Sequence, residues 1–145
     1  MGWERFKNNV LKTLTHLSQI LDSVEISRLS IRFVNKFDFP EFSNPQDYVT
    51  TVITNNTGET QYPIRQYGFR MFYDVPDTNI YAIVNQNVEK NTNDNYSYVL
   101  DIDVLDRQSI LFQLDTISNN LETIRRIKNE LFFESITNKT IELCK

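Results

Sequence analysis

The sequence predicts an α+β domain: a mainly antiparallel four-stranded sheet with two long amphipathic helices packed on one face. Two stretches, one near each end of the chain, repeat apolar residues at helical spacing. Four segments between them alternate apolar and polar side chains, the period of a half-buried strand. The links joining the last three of those segments are short enough to force antiparallel neighbours.

The first helix is expected over 3–24. Its apolar residues are Trp3, Phe6, Val10, Leu14, Leu17, Leu21 and Val24, one stripe along the helix. The periodicity starts almost at the first residue, without the usual lead-in or cap. We therefore expect residues 1–145 to form a single domain that is the C-terminal part of a longer natural protein.

The next segment, 26–37, alternates strictly. Leu29, Ile31 and Phe33 share one parity, and Arg28, Ser30 and Arg32 share the other. Asn44-Pro45 supplies an N-cap and an N1 residue for a short helix through Tyr48, Val49, Val52 and Ile53. Residues 55–61 read as a loop by composition.

Strands are then expected over 64–73, 79–88 and 96–105. Their inward parities are Tyr67, Phe69, Met71 and Tyr73, then Ile80, Ala82, Val84 and Val88, then Tyr98, Leu100, Ile102 and Val104. Val75-Pro76-Asp77-Thr78 is turn chemistry, and the polar run 90–95 is a second hairpin loop. From Gln108, apolar residues at Ile110, Leu114, Ile117, Leu121, Ile124, Ile127 and Leu131 predict the second long helix. Thr137 is placed to cap a final short one carrying Ile141 and Leu143. The long crossover after the first strand leaves its partner in the sheet open.

A net charge of -4 and a pI near 5.0 argue against general binding to a phosphate backbone, so nucleic acid is not an expected partner. The single cysteine, Cys144, allows no disulfide within the chain and fits a reducing cytosol, the location we expect. No run of 18 apolar residues occurs, so no membrane-spanning helix is expected.

The three glycines, at 2, 58 and 68, are not clustered, which excludes a glycine-rich phosphate loop. Neither a Gly-x-Ser-x-Gly elbow, a His-Glu-x-x-His motif nor a paired-cysteine zinc pattern occurs. The only histidine, His16, lies beside the helical stripe with no acidic partner at helical spacing. The sequence therefore gives no catalytic set, metal-ligand set or cofactor motif.

What remains is the outer face of the predicted sheet. If every strand turns its apolar parity inward, Arg28, Arg32, Arg70, Tyr81, Asp101 and Asp103 share that face. One reading is cross-strand ion pairing on a solvated surface, worth about 0.2–1 kcal/mol per pair. The other is a shallow site, with arginines for a carboxylate or phosphate and aspartates for a metal or a general base.

The segment Arg28-Leu29-Ser30-Ile31-Arg32-Phe33-Val34-Asn35-Lys36-Phe37 also resembles the hallmark of a sporadically distributed, uncharacterised prokaryotic protein family. Its pattern runs Arg–apolar–Gly–apolar–Arg–Tyr–apolar–Asn–Arg–apolar, with Ser30, Phe33 and Lys36 replacing the glycine, the tyrosine and the last arginine here. An upstream aromatic helix (Trp3, Phe6), the strand segment Leu100-Asp101-Ile102-Asp103 and the closing Phe132-Phe133-Glu134-Ser135-Ile136-Thr137 occur in the family's order.

The resemblance implies that this chain corresponds to the C-terminal part of family members. It implies that Arg28, Arg32 and Asn35 are the most characteristic positions, and it implies no activity. Together these observations lead us to expect a non-catalytic intracellular interaction or regulatory module, with a protein partner or a second copy of itself. The alternative is a small-anion or metal-binding domain, enzymatic or not, that uses the Arg/Asp face.

Overall fold

A computed structural model describes residues 2–21, 25–39, 45–52, 65–90 and 96–144. Helix α1 (Trp3–Ser18) is followed by the short strand β1 (Glu25–Ile26), β2 (Leu29–Phe39) and a single 3-10 turn (Pro45–Asp47). Then come β3 (Gln66–Asp74), β4 (Ile80–Lys90), β5 (Tyr96–Asp106), the short β6 (Ile110–Leu111), α2 (Leu114–Ser135) and α3 (Asn138–Leu143). The four long strands form one antiparallel sheet in the order β2-β5-β4-β3, so the first strand pairs with the third of the later three.

The parities fall as the alternation predicts. Ile31, Val104 and Ala82 lie in one row across β2, β5 and β4, and Phe33, Ile102, Val84 and Met71 lie in the next. Helix α2 lays Ile117, Leu121, Ile124 and Ile127 over this face, against β5 and β2, and the core forms between them. Helix α1 packs on α2. Trp3, Val10, Leu11 and Leu14 reach the edge of the core, yet no residue of α1 is fully buried.

Four boundaries differ from the sequence expectation, each for a local reason. Helix α1 stops at Ser18 instead of continuing to residue 24. The N–H groups of Gln19 and Ile20 bond back to His16 and Leu17 oxygens three residues earlier, the tight bonding that closes a helix. The strand expected over 26–37 is broken at Ser27 and Arg28, and the piece before the break belongs to a separate ribbon with β6, pairing Ile26 with Ile110.

That ribbon also delays the second long helix, which begins at Leu114 and not near Gln108. Asp106 accepts a hydrogen bond from the Gln108 N–H (2.9 Å), which turns the chain out of β5, and Ile110 is buried as a ribbon residue. Its helical spacing to Leu114 is a coincidence of register.

The short helix expected after Pro45 is one 3-10 turn. The backbone beyond it is committed elsewhere: the Tyr48 oxygen accepts from the Thr137 N–H (3.0 Å) and the Thr140 hydroxyl (2.6 Å), and the Thr50 N–H reaches the Ser135 oxygen (3.2 Å). Val49 and Ile136 form an isolated β-bridge, so residues 48–50 clamp the α2–α3 junction. Thr137 precedes α3 as expected, but its hydroxyl bonds the Asp47 oxygen instead of capping its own helix. Ile53, the loop expected over 55–61, Ile64 and residues 91–95 lie outside the described residues.

In the β3–β4 hairpin the Thr78 N–H bonds the Val75 oxygen (3.3 Å), and Asp77 sits at φ 60°. Pro76 presets the first central residue, and the aspartate occupies the position that favours glycine.

Two polar features of the inner face can be tested directly. Gln86 is only 1% exposed and accepts from the buried Tyr98 hydroxyl (2.9 Å), whereas the Tyr67 hydroxyl is buried with no partner among the described residues. In urea denaturation, Tyr98→Phe should cost about 1–2 kcal/mol, because it strips a donor from a buried carbonyl, while Tyr67→Phe should be neutral or stabilising. Equal losses for the two would contradict this assignment. Thr140→Val should cost about 1 kcal/mol by the same measurement, since it removes one of the two donors to the Tyr48 oxygen.

Candidate functional site

The outer face of the sheet is built by the alternate residues of the same strands. Register places Arg32 directly opposite Asp103, Val34 opposite Asp101, and Asn85 and Arg70 in the row of Asp101. The arginine does not pair with its direct neighbour. Its Nε and Nη2 donate to the two carboxylate oxygens of Asp101, at 2.8 and 2.7 Å, a two-pronged diagonal pair. Asn85 adds a third hydrogen bond to Asp101, at 3.1 Å from the other side.

Asp101 is only 8% exposed, so its charge depends on those partners. The Arg32 hydrogen bonds, ahead of the opposing effect of burial, hold its carboxyl below the usual aspartate range, and Asp101 in turn raises the Arg32 guanidinium. Asp103 is in the opposite situation. It meets Arg28 only at 3.5 Å, and its Oδ1 is buried with no partner among the described residues. Burial, ahead of the nearby arginines, pushes its carboxyl up.

The remaining candidates are dispersed. Arg28 lies in the break between β1 and β2, outside any strand. Arg70 covers the Phe72 ring at 5.1 Å, and Tyr81 is covered by Arg107 at 4.3 Å. Asn35 belongs to the inward parity of β2, on the opposite face, and donates to the Leu100 oxygen at 3.3 Å. The structure thus brings Arg28, Arg32, Asp101 and Asp103 together, sets Arg70 and Tyr81 on the same face in contacts of their own, and separates Asn35 from all six. Among the described residues, no three Asp, Glu, His or Cys side chains converge as a metal site.

Sequence reasoning missed Asn85, whose role depends on cross-strand register rather than on parity. It also missed Asp106, which is buried on the inner face and accepts from Gln108 N–H and Asn120 Nδ2 (3.2 Å). A third omission is the polar seam between the two long helices. Glu122 of α2 accepts from Lys7 Nζ (2.6 Å) and Trp3 Nε1 (2.8 Å), and Arg125 lies over the Trp3 ring at 4.9 Å. The Lys7 hydrogen bond is the main reason the Glu122 carboxyl sits below its usual range.

No known protein-family model matches the chain, and no curated protein matches it. No helix among the described residues is long and apolar enough to cross a membrane.

The two aspartates should respond oppositely to neutralisation. Asp101, with a lowered folded pKa, contributes stability at neutral pH that is lost as pH falls through that value. Asp103, with a raised one, costs stability at neutral pH, and the cost fades as pH falls through its folded pKa. At pH 7, Asp101→Asn should lower the Tm by roughly 3–6 °C, the loss of a charge-assisted pair at a buried carboxylate. Asp103→Asn should leave the Tm unchanged or higher, and an equal fall would show that the two carboxylates are equivalent.

Proposed function

We propose that this domain is a non-catalytic interaction module of the cytoplasm, regulatory in character, that works by contact with a second copy of itself or another protein. The observation that carries the reading is the apolar stripe of α1 and its continuation. Against α2 the helix uses Trp3, Val10, Leu11 and Leu14, but Leu17, Ile20 and Leu21 remain exposed, Ile20 by 76%. Apolar side chains grouped at one end of a helix are the usual anatomy of a protein contact.

The charged sheet face supports the same reading from the other direction. Arg32 spends its charge on Asp101, so an arriving anion or metal would have to displace a two-pronged pair. The likeness of residues 26–37 to the sporadically distributed prokaryotic family supports placing the chain within it, and carries no reaction with it.

Sedimentation equilibrium over a concentration series tests the homotypic form. The wild-type chain should associate reversibly. The double variant Leu17→Lys/Ile20→Lys should be monomeric, with a stability loss of no more than about 1 kcal/mol, because Ile20 is largely in water and Leu17 is 43% exposed. A wild type that stays monomeric across the series, or a double variant that associates equally well, overturns it.

A further inference from the structure

A cleft of about 480 Å³ opens between α1, α2 and the edge strand β2. That volume falls within the roughly 300–1,000 Å³ usual for small-molecule sites. Three aromatic rings line it: Trp3 and Phe6 from α1, with centroids 5.7 Å apart, and Phe33 from β2. Phe6 and Phe33 are 40% and 38% exposed, although Phe33 belongs to the inward parity of its strand. The polar side chains beside them come from consecutive turns of α2: Arg125, Lys128 and Asn129.

Lys128 is the unusual member. It is half-buried, its ammonium lies 4.3 Å from the centroid of the Phe33 ring, and no carboxylate among the described residues pairs with it. Arg125, one turn away, carries the same sign of charge; it lies over the Trp3 ring at 4.9 Å, and its contact with Glu122 is a long 3.5 Å. Arg32, which also reaches the cleft wall, is neutralised by Asp101.

From this geometry we propose that the cleft binds a small aromatic carboxylate. Its ring lies among Trp3, Phe6 and Phe33, and its carboxylate is held by Lys128 and Arg125, with the Asn129 amide as a further donor. The division of labour follows from the side chains. Rings in a partly dry cleft accept a planar apolar body by offset or edge contacts. A guanidinium and an ammonium on one helix face offer a fork and a point charge to the same anion. Burial and the Arg125 charge both hold the Lys128 ammonium below its ordinary range, a cost that a bound anion relieves. This site shares no polar group with the exposed end of α1, so it stands or falls separately from self-association.

Trp3 is the only tryptophan, so its fluorescence reports on the cleft without a label. Titration of the full chain with phenylacetate, excited at the red edge of the indole band and at constant ionic strength, should give a saturable change in emission. Benzyl alcohol, which has the ring without the charge, and acetate, which has the charge without the ring, should each bind at least about tenfold more weakly, as expected when one anchoring group is lost.

Lys128→Met should weaken phenylacetate binding by about tenfold or more, whereas Lys128→Arg should stay within a few-fold of wild type. The methionine variant is expected to fold, since it removes a charge that burial disfavours, and circular dichroism checks this. A linear response to phenylacetate, equal binding of benzyl alcohol, or unchanged affinity in a folded Lys128→Met variant overturns the proposal.

Discussion

Strand β5 has water along neither edge, and seven of its eleven residues are buried. It is hydrogen-bonded to β2 on one side and β4 on the other along all eleven residues, and its inward face lies beneath α2. Its outward face nevertheless carries two carboxylates. A buried carboxylate left alone would cost several kcal/mol, so the strands on either side must supply donors. Arg32 reaches Asp101 diagonally from β2, and Asn85 reaches it from β4. Because side chains alternate, a one-residue slip of β2 would turn Arg32 toward the helices and Ile31 and Phe33 to water. Strand order and register are thus tied to one ionised side chain.

The helix layer is held differently on its two sides. Helix α2 is fixed by burial of four apolar side chains, and its C-terminal end is gripped by residues 48–50 through Thr50, Thr137 and Thr140. Among the described residues, helix α1 has no such anchor. It joins α2 through half-buried apolar side chains and through Glu122, which gathers the Trp3 indole N–H and the Lys7 ammonium. A helix attached along one seam keeps part of its apolar stripe outside the core. The exposed apolar end of α1 and the open cleft beside Phe33 both follow from that loose attachment.

The face of every long strand was legible, because alternation is a local property and each inward parity met the core. The order of the strands was not, since the pairing of β2 with β5 depends on contacts far apart in sequence. Helical spacing also overreached at Ile110. Three apolar residues at the right intervals look alike whether a helix or a two-residue ribbon buries the first of them. At the site, the aspartates and arginines were visible as a shared face, but the choice of Asp101 over Asp103 as the partner of Arg32 depends on diagonal reach. Lys128 gave no sign in the sequence. It was one polar residue on a helix, and its character comes from Phe33, which is distant in the chain.

The electrostatics of the two faces differ in a way composition alone does not explain. The chain has 19 acidic and 15 basic residues, so carboxylates are in surplus. On the outer sheet face Asp101 is paired with Arg32 and Asp103 meets Arg28 at 3.5 Å, and on α2 itself Arg126 has Glu130 at 2.8 Å and Arg125 reaches Glu122. Lys128 lies in the same helix, between these pairs, and faces a ring. In a protein short of acids such a lysine would mean little. In one with acids to spare, a half-buried cation set against an aromatic wall is a matter of placement, and it leaves positive charge and apolar surface side by side in the cleft.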